Sequence, residues 1–254
     1  MSALTGKTAL VTGASRGIGR YTAQRLARDG ARVGVHYGTN EQAAKDTVAS
    51  IEAVGGSAFA LQADLAAPHA AETLWKAFDE HADGVDILVN NAGVVVYGRV
   101  NEIVEEDFER LFAVNVKAPL FIIQHGLNRL RDGGRIINVS SSGAYMASPM
   151  ATMYTMTKGA ISTLTRTLAW DLGDRRILVN AVAPGFTDTE MNDWLADPAM
   201  KAWAGSHNAL RRVGQPDDVG DIIAFLASDD SRFVNGQVID ATGGGLLGVP
   251  AIAQ

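Results

Sequence analysis

One segment of the sequence reads Ser141-Ser-Gly-Ala-Tyr-Met-Ala-Ser-Pro-Met-Ala-Thr-Met-Tyr154-Thr-Met-Thr-Lys158, and it joins two elements of different hydrophobic periodicity. Before it, residues 135–139 form a mainly apolar, β-branched run that follows Gly133-Gly134, which predicts a short buried strand. After it, residues 160–172 carry apolar side chains at helical spacing. The segment therefore predicts a strand, a loop with Gly and Pro, and a helix in direct succession.

Three side chains of this segment suit proton exchange with an oxygen atom. Tyr154 and Lys158 are four residues apart, so they project from the same face of the predicted helix. A nearby ammonium group stabilises a phenolate and lowers the phenol pKa from its ordinary value of about 10. The Ser141 hydroxyl can both donate to and accept from a substrate oxygen. The trio predicts acid–base chemistry on a carbonyl or an alcohol. The alternative is an ordinary amphipathic helix, in which Tyr154 is half-buried and Lys158 packs its aliphatic portion against the protein while its ammonium group reaches solvent.

Length and composition are those of an ordinary globular protein. The 254 residues, 47% apolar and 20% charged, suffice for one sizeable core. The net charge of -6 gives no general nucleic-acid footprint, and the lack of cysteine excludes disulfides and thiolate metal sites. The histidines are scattered, no apolar run approaches a membrane span, and no apolar signal core follows Met1. We therefore expect a cytoplasmic, metal-independent protein that binds neither nucleic acid nor membrane.

Hydrophobic periodicity predicts alternating strands and helices along the whole chain. The predicted strands are residues 7–12, 32–37, 57–62, 85–89, 135–139, 177–183 and 237–240. The predicted helices are residues 20–29, 41–54, 68–81, 102–112, 116–130, 152–172 and 217–227. Such alternation is typical of βαβ units, so residues 1–254 are expected to form a single α/β domain with a Rossmann fold, in which a doubly wound, mainly parallel, seven-stranded sheet carries helices on both faces. Ligands bind such sheets beyond the C-terminal ends of the strands.

The first strand runs into a glycine-rich turn, Gly13-Ala-Ser-Arg-Gly17-Ile-Gly19. Gly13 permits the tight turn, Gly17 lets the backbone approach a pyrophosphate, and Gly19 lets the helix pack closely. The helix N-terminus adds free N–H groups for an anion. The spacing differs from the usual Gly-x-Gly-x-x-Gly fingerprint, and a plain tight turn is the alternative. Its place at the first strand–helix connection favours a dinucleotide, which would be the hydride source that the trio lacks.

The end of the second strand bears on the choice of dinucleotide. NAD-binding proteins usually carry an acidic residue there, whereas residues 36–40 read His-Tyr-Gly-Thr-Asn. Arg16, together with Ser15, Thr39 and Asn40, could instead hold a 2′-phosphate. The sequence therefore favours NADP(H) over NAD(H), unless Arg16 is simply solvated.

Several further turns carry residues that, taken singly, are ordinary turn or capping chemistry. In their order along the chain, however, the motifs resemble those of a short-chain dehydrogenase/reductase, most closely the 3-oxoacyl-[acyl-carrier-protein] reductase-like branch. The match covers nearly the whole chain and rests on Thr12-Gly13-Ala-Ser-Arg-Gly17-Ile-Gly19, Asp64, Asn90-Asn91-Ala92-Gly93, Asn115, Ser141, Tyr154-x-x-x-Lys158 and Pro184-Gly185.

The resemblance implies a role for each residue of the catalytic set. Tyr154 would be the catalytic acid/base, and Lys158 would bind the nicotinamide ribose and lower the pKa of Tyr154. Ser141 would orient the substrate oxygen. It is chosen over its two serine neighbours because of the spacing to the tyrosine that the resemblance implies. Asn115 would hold a water molecule in a proton relay to Lys158.

The resemblance also implies the cofactor contacts. Asp64 would face the adenine, Asn90 the adenosine ribose, and residues 184–189 the nicotinamide amide. The full set expected to bind the cofactor is Gly13, Ser15, Arg16, Gly17, Ile18, Gly19, Tyr37, Gly38, Thr39, Asn40, Asp64, Leu65, Asn90, Ala92, Gly93, Tyr154, Lys158, Pro184, Gly185, Thr187 and Thr189.

A homotetramer is a further implication of the resemblance, through packing of helices 116–130 and 152–172. Five small side chains of the second helix would permit that packing or could equally face the sheet: Ala160, Ser162, Thr163, Thr167 and Ala169. The family's late Val-Asp-Gly-Gly appears here as Ala241-Thr-Gly-Gly244, followed by an apolar tail to Gln254. This departure puts a local subunit contact in doubt and leaves the chemistry unaffected.

Three other functions fit part of the sequence. A non-catalytic dinucleotide sensor would not need Ser141, Tyr154 and Lys158, and a sugar-nucleotide epimerase would need a C-terminal substrate domain for which there is little room. A 3-oxoacyl-[acyl-carrier-protein] reductase would need a basic surface for its acidic partner, which the net charge of -6 disfavours. The candidate residues for that surface are Arg129, Arg131, Arg175 and Arg176.

Residues 186–215 follow the sixth strand, beside the predicted nicotinamide site. Pro198 interrupts any single helix there, and the large apolar side chains are Phe186, Met191, Trp194, Leu195, Met200 and Trp203. They either pack over the sheet edge or form a mobile lid over a medium-sized, mainly apolar carbonyl compound, such as a free ketone or a β-keto ester. Met146, Met150 and Met153 would form the opposite wall. The residues expected to contact this substrate are Ser141, Met146, Tyr154, Met191 and Trp194.

Overall fold

A single sheet of seven strands forms the centre of the molecule in the computed structural model, which describes residues 3–247. The predicted apolar tail therefore lies mostly outside the described residues. The strands are β1 Thr8–Val11, β2 Arg32–Tyr37, β3 Ser57–Gln62, β4 Val85–Asn90, β5 Leu130–Val139, β6 Leu178–Pro184 and β7 Val238–Ala241. Their order is β3-β2-β1-β4-β5-β6-β7, and each neighbouring pair is parallel. The Rossmann architecture is confirmed, with a wholly parallel sheet among the described strands where we expected a mainly parallel one.

Eight α-helices of the described chain cover the two faces of the sheet. They are α1 Gly17–Arg28, α2 Glu41–Glu52, α3 Ala70–Asp79, α4 Glu105–Phe112, α5 Ala118–Gly126, α6 Thr152–Asp171, α7 Pro198–Ser206 and α8 Pro216–Ala227. Side chains of α1, α2 and α8 pack into one core and those of α3, α5 and α6 into another. β1 serves both cores, because Ala9 and Val11 face the first and Leu10 the second. Among residues 3–247, no helix combines the length and the hydropathy that crossing a bilayer requires.

The connection before β5 differs most from the prediction of one helix over residues 116–130. Residues Ala113–Lys117 form a π-helical turn, and the α-helix that follows ends at Gly126. β5 begins at Leu130, which pairs with Val85 before the register shifts, so the strand is five residues longer at its start than predicted. Periodicity could not separate these elements because residues 118–130 are apolar on several sides.

Two other predicted helices begin later than expected. α3 starts at Ala70 because His69 adopts a left-handed backbone with φ 57°. The predicted helix 102–112 is split into a 3-10 turn, Val100–Glu102, and α4. Between the two parts, the β-branched residues Ile103 and Val104 are extended, which suits their restricted side chains.

The contact between α3 and α5 offers a test of the packing. A Cβ atom added at Gly126 would lie 2.4 Å from Cζ2 of the buried Trp75 ring. Because this ring is rigid and fully enclosed, Gly126→Ala is expected to lower the free energy of unfolding by about 1–3 kcal/mol. Gly159→Ala is the matched control, since Gly159 also lies in a helix but has nothing within 4 Å of the added atom.

Gly159→Ala should raise the free energy of unfolding by about 0.5–1 kcal/mol, because alanine has fewer backbone conformations than glycine in the unfolded chain. Chemical denaturation of both variants measures the difference. Equal stability of the two variants would contradict the packing described for α3 and α5.

Candidate active site

The predicted glycine turn is built with almost no free space. Gly13 and Gly17 have left-handed backbones, with φ of 63° and 52°. A Cβ atom on Gly19 would lie 2.2 Å from the Gly13 carbonyl oxygen, and one on Gly13 would lie 2.9 Å from Cα of Ala92. Only glycine fits at these positions, so the turn brings bare backbone N–H groups to the N-terminus of α1.

Hydrogen bonds with the residues just after β4 hold this turn in place. The Asn91 amide donates to the carbonyl oxygens of Thr12 and Gly13, at 2.8 and 3.1 Å. The Thr12 hydroxyl in turn accepts from the backbone N–H groups of Asn91 and Ala92, both at 3.0 Å. The turns after β1 and β4 therefore form one rigid unit at the point where the strand order reverses. Sequence reasoning treated Asn91 as part of a motif and missed this supporting role.

Arg16 lies at the mouth of a cleft of about 250 Å³ that Gly93, Val94 and Met191 also line. The Arg16 residue is exposed. Ser15 and Ile18 on either side of it are half-buried. The cleft lies between the glycine turn, the loop after β4 and Met191, at the sheet edge where ligands of such folds bind.

The residues after β2 are only partly free for a ligand. The Asn40 side-chain oxygen accepts from the Ala43 N–H at 3.0 Å and so caps α2. The Gly38 carbonyl oxygen accepts from the Gln62 amide at 3.1 Å. Of the residues predicted to hold a 2′-phosphate, Asn40 thus has a structural role of its own. Tyr37 is half-buried at the strand end and Thr39 is exposed.

Asp64 lies just after β3, and Asn90 is the last residue of β4. Asp64 accepts from the Ala66 N–H at 2.9 Å, and Leu65 beside it is buried. The buried Asn90 donates to Asn138 at 2.9 Å, while its own Oδ1 atom has no hydrogen-bond partner among the described residues. A buried oxygen without a donor fits a ligand hydroxyl at this position.

The end of β5 distinguishes the candidate serines. Ser140 is buried, and its hydroxyl bonds the Lys158 carbonyl oxygen and the Ser162 hydroxyl at 3.1 and 2.8 Å. Ser141 is half-buried, accepts from the Gly143 N–H at 3.1 Å and lies within hydrogen-bonding reach of the Tyr154 phenol. Ser141 is therefore the serine of this pair that can share a ligand oxygen with Tyr154.

Lys158 is buried, with 4% of its surface exposed, and donates to the Val139 carbonyl oxygen at 2.8 Å. Burial lowers the pKa of its ammonium group to about 8, because an apolar environment disfavours the charged form. The ammonium lies 5.5 Å from the centre of the Tyr154 ring. Gly93 faces the same place, since an added Cβ atom would lie 3.6 Å from the Lys158 nitrogen.

Burial raises the pKa of Tyr154 to about 12, and the hydrogen bond with Ser141 opposes this rise without reversing it. The expectation of a lowered Tyr154 pKa was therefore wrong for this structure, in which burial dominates. The physical reason is that the loss of hydration at the phenol outweighs the stabilisation of the phenolate by its neighbours. Tyr154 holds its proton throughout the neutral range.

Asn115 lies in the π-helical turn and pins two elements together. Its side chain exchanges two hydrogen bonds of 2.9 Å with the backbone of Val94, and it donates to the Thr157 hydroxyl at 3.2 Å. The loop after β4 is thus tied to α6 between Tyr154 and Lys158. Such π-helical turns often occur at functional sites. The role of Thr157 as a partner of Asn115 was not predicted from the sequence.

The turn after β6 faces the glycine turn. Pro184 ends the strand, and the buried Thr187 hydroxyl donates to the Gly185 carbonyl oxygen at 3.1 Å. Thr189 is the side chain closest to Gly17, where an added Cβ atom would lie 3.3 Å from the threonine methyl group. The predicted nicotinamide and pyrophosphate contacts therefore lie opposite one another.

Residues 186–215 contain a small core of their own. Trp194 packs against the enclosed Leu195, Ala204 and Val213 and makes an edge contact with Phe186. Pro198 occupies the first turn of α7, where a missing N–H is tolerated. The packing interpretation is thus correct for Trp194 and Leu195, while large apolar side chains remain exposed at Phe186, Met191, Met200 and Trp203.

Two of the three methionines predicted for the opposite wall are exposed. Met146 and Met150 are exposed, whereas Met153 is 4% exposed and belongs to the protein core, so its prediction as a wall residue was wrong. The Tyr97 hydroxyl is 3.5 Å from the Asn192 side-chain oxygen and within reach of the Trp194 side chain, so the loop after β4 contacts residues 186–215. Sequence reasoning missed Tyr97 because no motif includes it.

The residues present fit a dinucleotide, on the evidence of the glycine turn, the cradle between Gly93 and Lys158, and the unpaired oxygen of Asn90. Within the described part of the chain, no three His, Asp or Glu side chains are grouped as a metal site would require.

Comparison with known proteins places the chain in a family. Residues 13–245 match the family model described as enoyl-(acyl carrier protein) reductase. An oxidoreductase of Methylorubrum extorquens is 43% identical over 246 residues, which are 96% of this chain and 99% of that protein. Versicolorin reductase of Emericella nidulans is 39% identical over 253 residues, which are 95% of this chain and 96% of that protein.

Solved structures agree with these matches. The angucycline C-6 ketoreductase LanV with bound NADP is 46% identical, has a TM-score of 0.94, and the match covers 97% of this chain and 98% of LanV. A second LanV structure, with NADP and rabelomycin, is 45% identical with a TM-score of 0.90, and covers 97% and 99% of the two chains. With its matched family model, its close relatives and its site geometry, the chain belongs to the short-chain dehydrogenases/reductases, a family of oxidoreductases.

Proposed function

We propose that the protein is an NADPH-dependent ketoreductase of bulky, mainly apolar carbonyl compounds, and that polycyclic aromatic ketones are the class it reduces. The observation that carries the proposal is the convergence of Ser141, Tyr154 and Lys158 beside the glycine turn. An intact acid–base set argues against a non-catalytic sensor.

The reduced nicotinamide, when bound, supplies a hydride to the carbonyl carbon. Tyr154 donates the accompanying proton to the carbonyl oxygen, and the Ser141 hydroxyl donates a hydrogen bond to the same oxygen. The Lys158 cation stabilises the phenolate that remains. Since the pKa of Tyr154 is about 12, the residue is protonated at neutral pH, which is the state that an acid needs.

The preference for NADPH is supported by Arg16 and by the lack of an acidic residue after β2. The relative LanV binds NADP in its solved structures, and so supports the same assignment here. The exposed Arg16 guanidinium has no hydrogen bond or ion pair within residues 3–247, which leaves its donors open to a phosphate.

The substrate class is supported by exposed apolar side chains on the loop before Tyr154 and in residues 186–215. Met146, Met150, Met191 and Phe186 are between 36% and 49% exposed, and Tyr97 adds a half-exposed aromatic ring. Flat aromatic compounds suit walls of methionine and aromatic side chains. Relatives named for versicolorin and elsinochrome, and a structure with rabelomycin, support polycyclic compounds.

A carrier-protein substrate has less support. Arg129, Arg131 and Arg175 are each paired with an aspartate. Arg129 and Arg131 also lie at the start of β5, the opposite sheet edge from Tyr154. The proposed basic surface would therefore be partly neutralised and far from the site.

We also propose a homotetramer that forms through α5 and α6. Of the five small side chains of α6, Ser162 and Ala169 are buried against the protein, while Thr163 and Thr167 are exposed. Trp170 is 91% exposed, and exposed apolar side chains also lie on both helices at Leu120, Phe121 and Met156. Such a surface is typical of a subunit contact.

Tyr154→Phe tests the chemistry. Turnover of a polycyclic aromatic ketone with NADPH, followed by absorbance, should fall by about 10² to 10⁴ because the variant lacks the proton donor. NADPH binding, measured by fluorescence titration, should be unchanged. Near-normal turnover in the variant would contradict the role of Tyr154, and a wild-type enzyme without activity on aromatic ketones would contradict the substrate class.

Arg16→Ala tests the cofactor. The wild type should bind NADPH more tightly than NADH, and the variant should lose about tenfold or more in NADPH affinity, as expected for a charge-assisted contact. Its NADH affinity should be nearly unchanged. Arg20→Ala, one turn further along α1, is the control. Equal binding of both cofactors by the wild type would refute the assignment.

The reduction rate should fall as the pH rises above about 8, where Lys158 loses its proton. The Tyr154 phenol keeps its own proton over this range because its pKa is about 12. The measurement is the pH profile of kcat/KM for NADPH, which reports on the free enzyme. Lys158→Met should be slow throughout and should lack the fall near pH 8. A wild-type profile that stays flat well above that pH would show that this charge is not needed.

A further inference from the structure

His36 lies in β2 among apolar residues and is 2% exposed. Each of its ring nitrogens bonds the backbone of a different loop. Nδ1 accepts from the Gly13 N–H at 3.0 Å, and Nε2 lies 3.0 Å from the Ala63 carbonyl oxygen. No function described above uses this side chain, and it does not line the cleft.

The two partners fix the proton on the ring. Gly13 offers a donor, so Nδ1 must carry the lone pair, and Ala63 offers an acceptor, so Nε2 must carry the hydrogen. A protonated ring would set a second N–H against that of Gly13. Burial lowers the pKa of His36 to about 4, which keeps the ring neutral and its acceptor available.

The two loops belong to adjoining parts of the predicted cofactor site, the pyrophosphate part at the glycine turn and the adenine part at Asp64. Gly13 begins the glycine turn, whose next N–H, that of Ala14, donates to the His36 carbonyl oxygen at 2.8 Å. Ala63 immediately precedes Asp64 and is tied to β2 by a bond from its N–H to the Tyr37 carbonyl oxygen at 3.2 Å. Residues 63–66, here called the Asp64 loop, are therefore held to the glycine turn through β2 and the His36 ring.

The Gly13 backbone has little room to move relative to His36. Gly13 is enclosed between His36 and Ala92, and an added Cβ atom would lie 2.9 Å from the Ala92 backbone. A shift of the Gly13 N–H would therefore displace the whole turn at the N-terminus of α1. A ligand that spans both loops would experience the change in spacing as lost affinity.

We propose that His36 is a positioning residue that sets the spacing between the glycine turn and the Asp64 loop, and thereby the affinity for the dinucleotide, without contacting cofactor or substrate. The inference rests on the proposed NADP(H) binding.

Two variants separate the two bonds. In His36→Asn the side-chain oxygen takes the place of Nδ1 and can still accept from Gly13, but the side chain is too short for Ala63. In His36→Gln the amide nitrogen takes the place of Nε2 and can still donate to Ala63, but Gly13 loses its acceptor. A buried donor without a partner is costly, so the glutamine variant is expected to harm the glycine turn selectively.

The test compares the affinities of NADPH and of adenosine 2′,5′-bisphosphate, which lacks the pyrophosphate bridge. For His36→Gln, the Kd of NADPH should rise by about fivefold or more, and that of the bisphosphate by clearly less. For His36→Asn, both values should rise by a similar factor, because the Asp64 loop serves both ligands. At saturating NADPH, kcat and the KM of the ketone should stay within about twofold of the wild type.

Asn180 provides the matched control. It is also a buried strand residue whose side chain bridges backbone groups, donating to Val234 and accepting from Gln237 at 2.8 and 3.0 Å, but it lies in β6. Asn180→Val should lower the melting temperature with no change in either Kd.

The outcomes separate the inference from the proposed function. Unchanged NADPH affinity in both His36 variants would overturn the positioning role. So would a loss of NADPH affinity in the His36 variants that is no larger than the loss in Asn180→Val, when the variants have the same melting temperature. A rise in the ketone KM as large as that in the NADPH Kd would also overturn it. A wild-type protein that does not bind NADPH would instead refute the proposed function.

Discussion

A lysine ammonium group buried against a backbone carbonyl is the constraint on which the site depends. Taking a charge out of water is costly unless strong partners replace the lost hydration, and Lys158 is offered the Val139 carbonyl oxygen at 2.8 Å. Burial nevertheless lowers the Lys158 pKa from 10.5 to about 8. Between these values the folded protein binds fewer protons than the unfolded chain, so this residue's penalty is fully present below about pH 8 and is relieved as the pH rises toward 10.5. The protein thus retains a destabilising group where β5 and α6 meet, which is typical of a site kept for chemistry.

The pKa values of Tyr154 and Lys158 are shifted in opposite directions. Burial makes the phenol hold its proton more tightly and the ammonium less tightly, with pKa values of about 12 and about 8. A phenol that is fully protonated before reaction is suited to donate when an alkoxide develops beside it, since the alkoxide is the stronger base. For the reverse reaction, Tyr154 must first be deprotonated, and the structure in this state disfavours that. The raised pKa therefore leaves Tyr154 in the protonated state that the proposed reduction of a carbonyl needs.

The sequence predicted the alternation of strands and helices, the parallel sheet and the residues that converge at its edge. These features rest on local signals, such as β-branched runs for β4 and β6, the glycine turn, and the spacing of Tyr154 and Lys158. It did not predict the π-turn at Asn115 or the early start of β5, because residues 118–130 are apolar on several sides and periodicity cannot place a boundary there. It also missed the buried position of Met153 and the raised pKa of Tyr154. Both depend on packing and desolvation by residues distant in the chain, which a local pattern does not contain.

The polar and the apolar parts of the candidate site are held in different ways. Asn91, Asn115 and Lys158 each form a hydrogen bond with the backbone of another element. Such a bond depends little on which side chains the bonded residue and its neighbours carry. A few polar residues therefore suffice to fix the catalytic arrangement, and they form a pattern that can be recognised along the chain. The predicted substrate walls are different, since Met146, Met150 and Met191 are exposed and methionine side chains adapt to varied shapes. Substitution at these exposed positions is therefore expected to alter substrate choice without disturbing the backbone hydrogen bonds that hold the proposed acid–base residues.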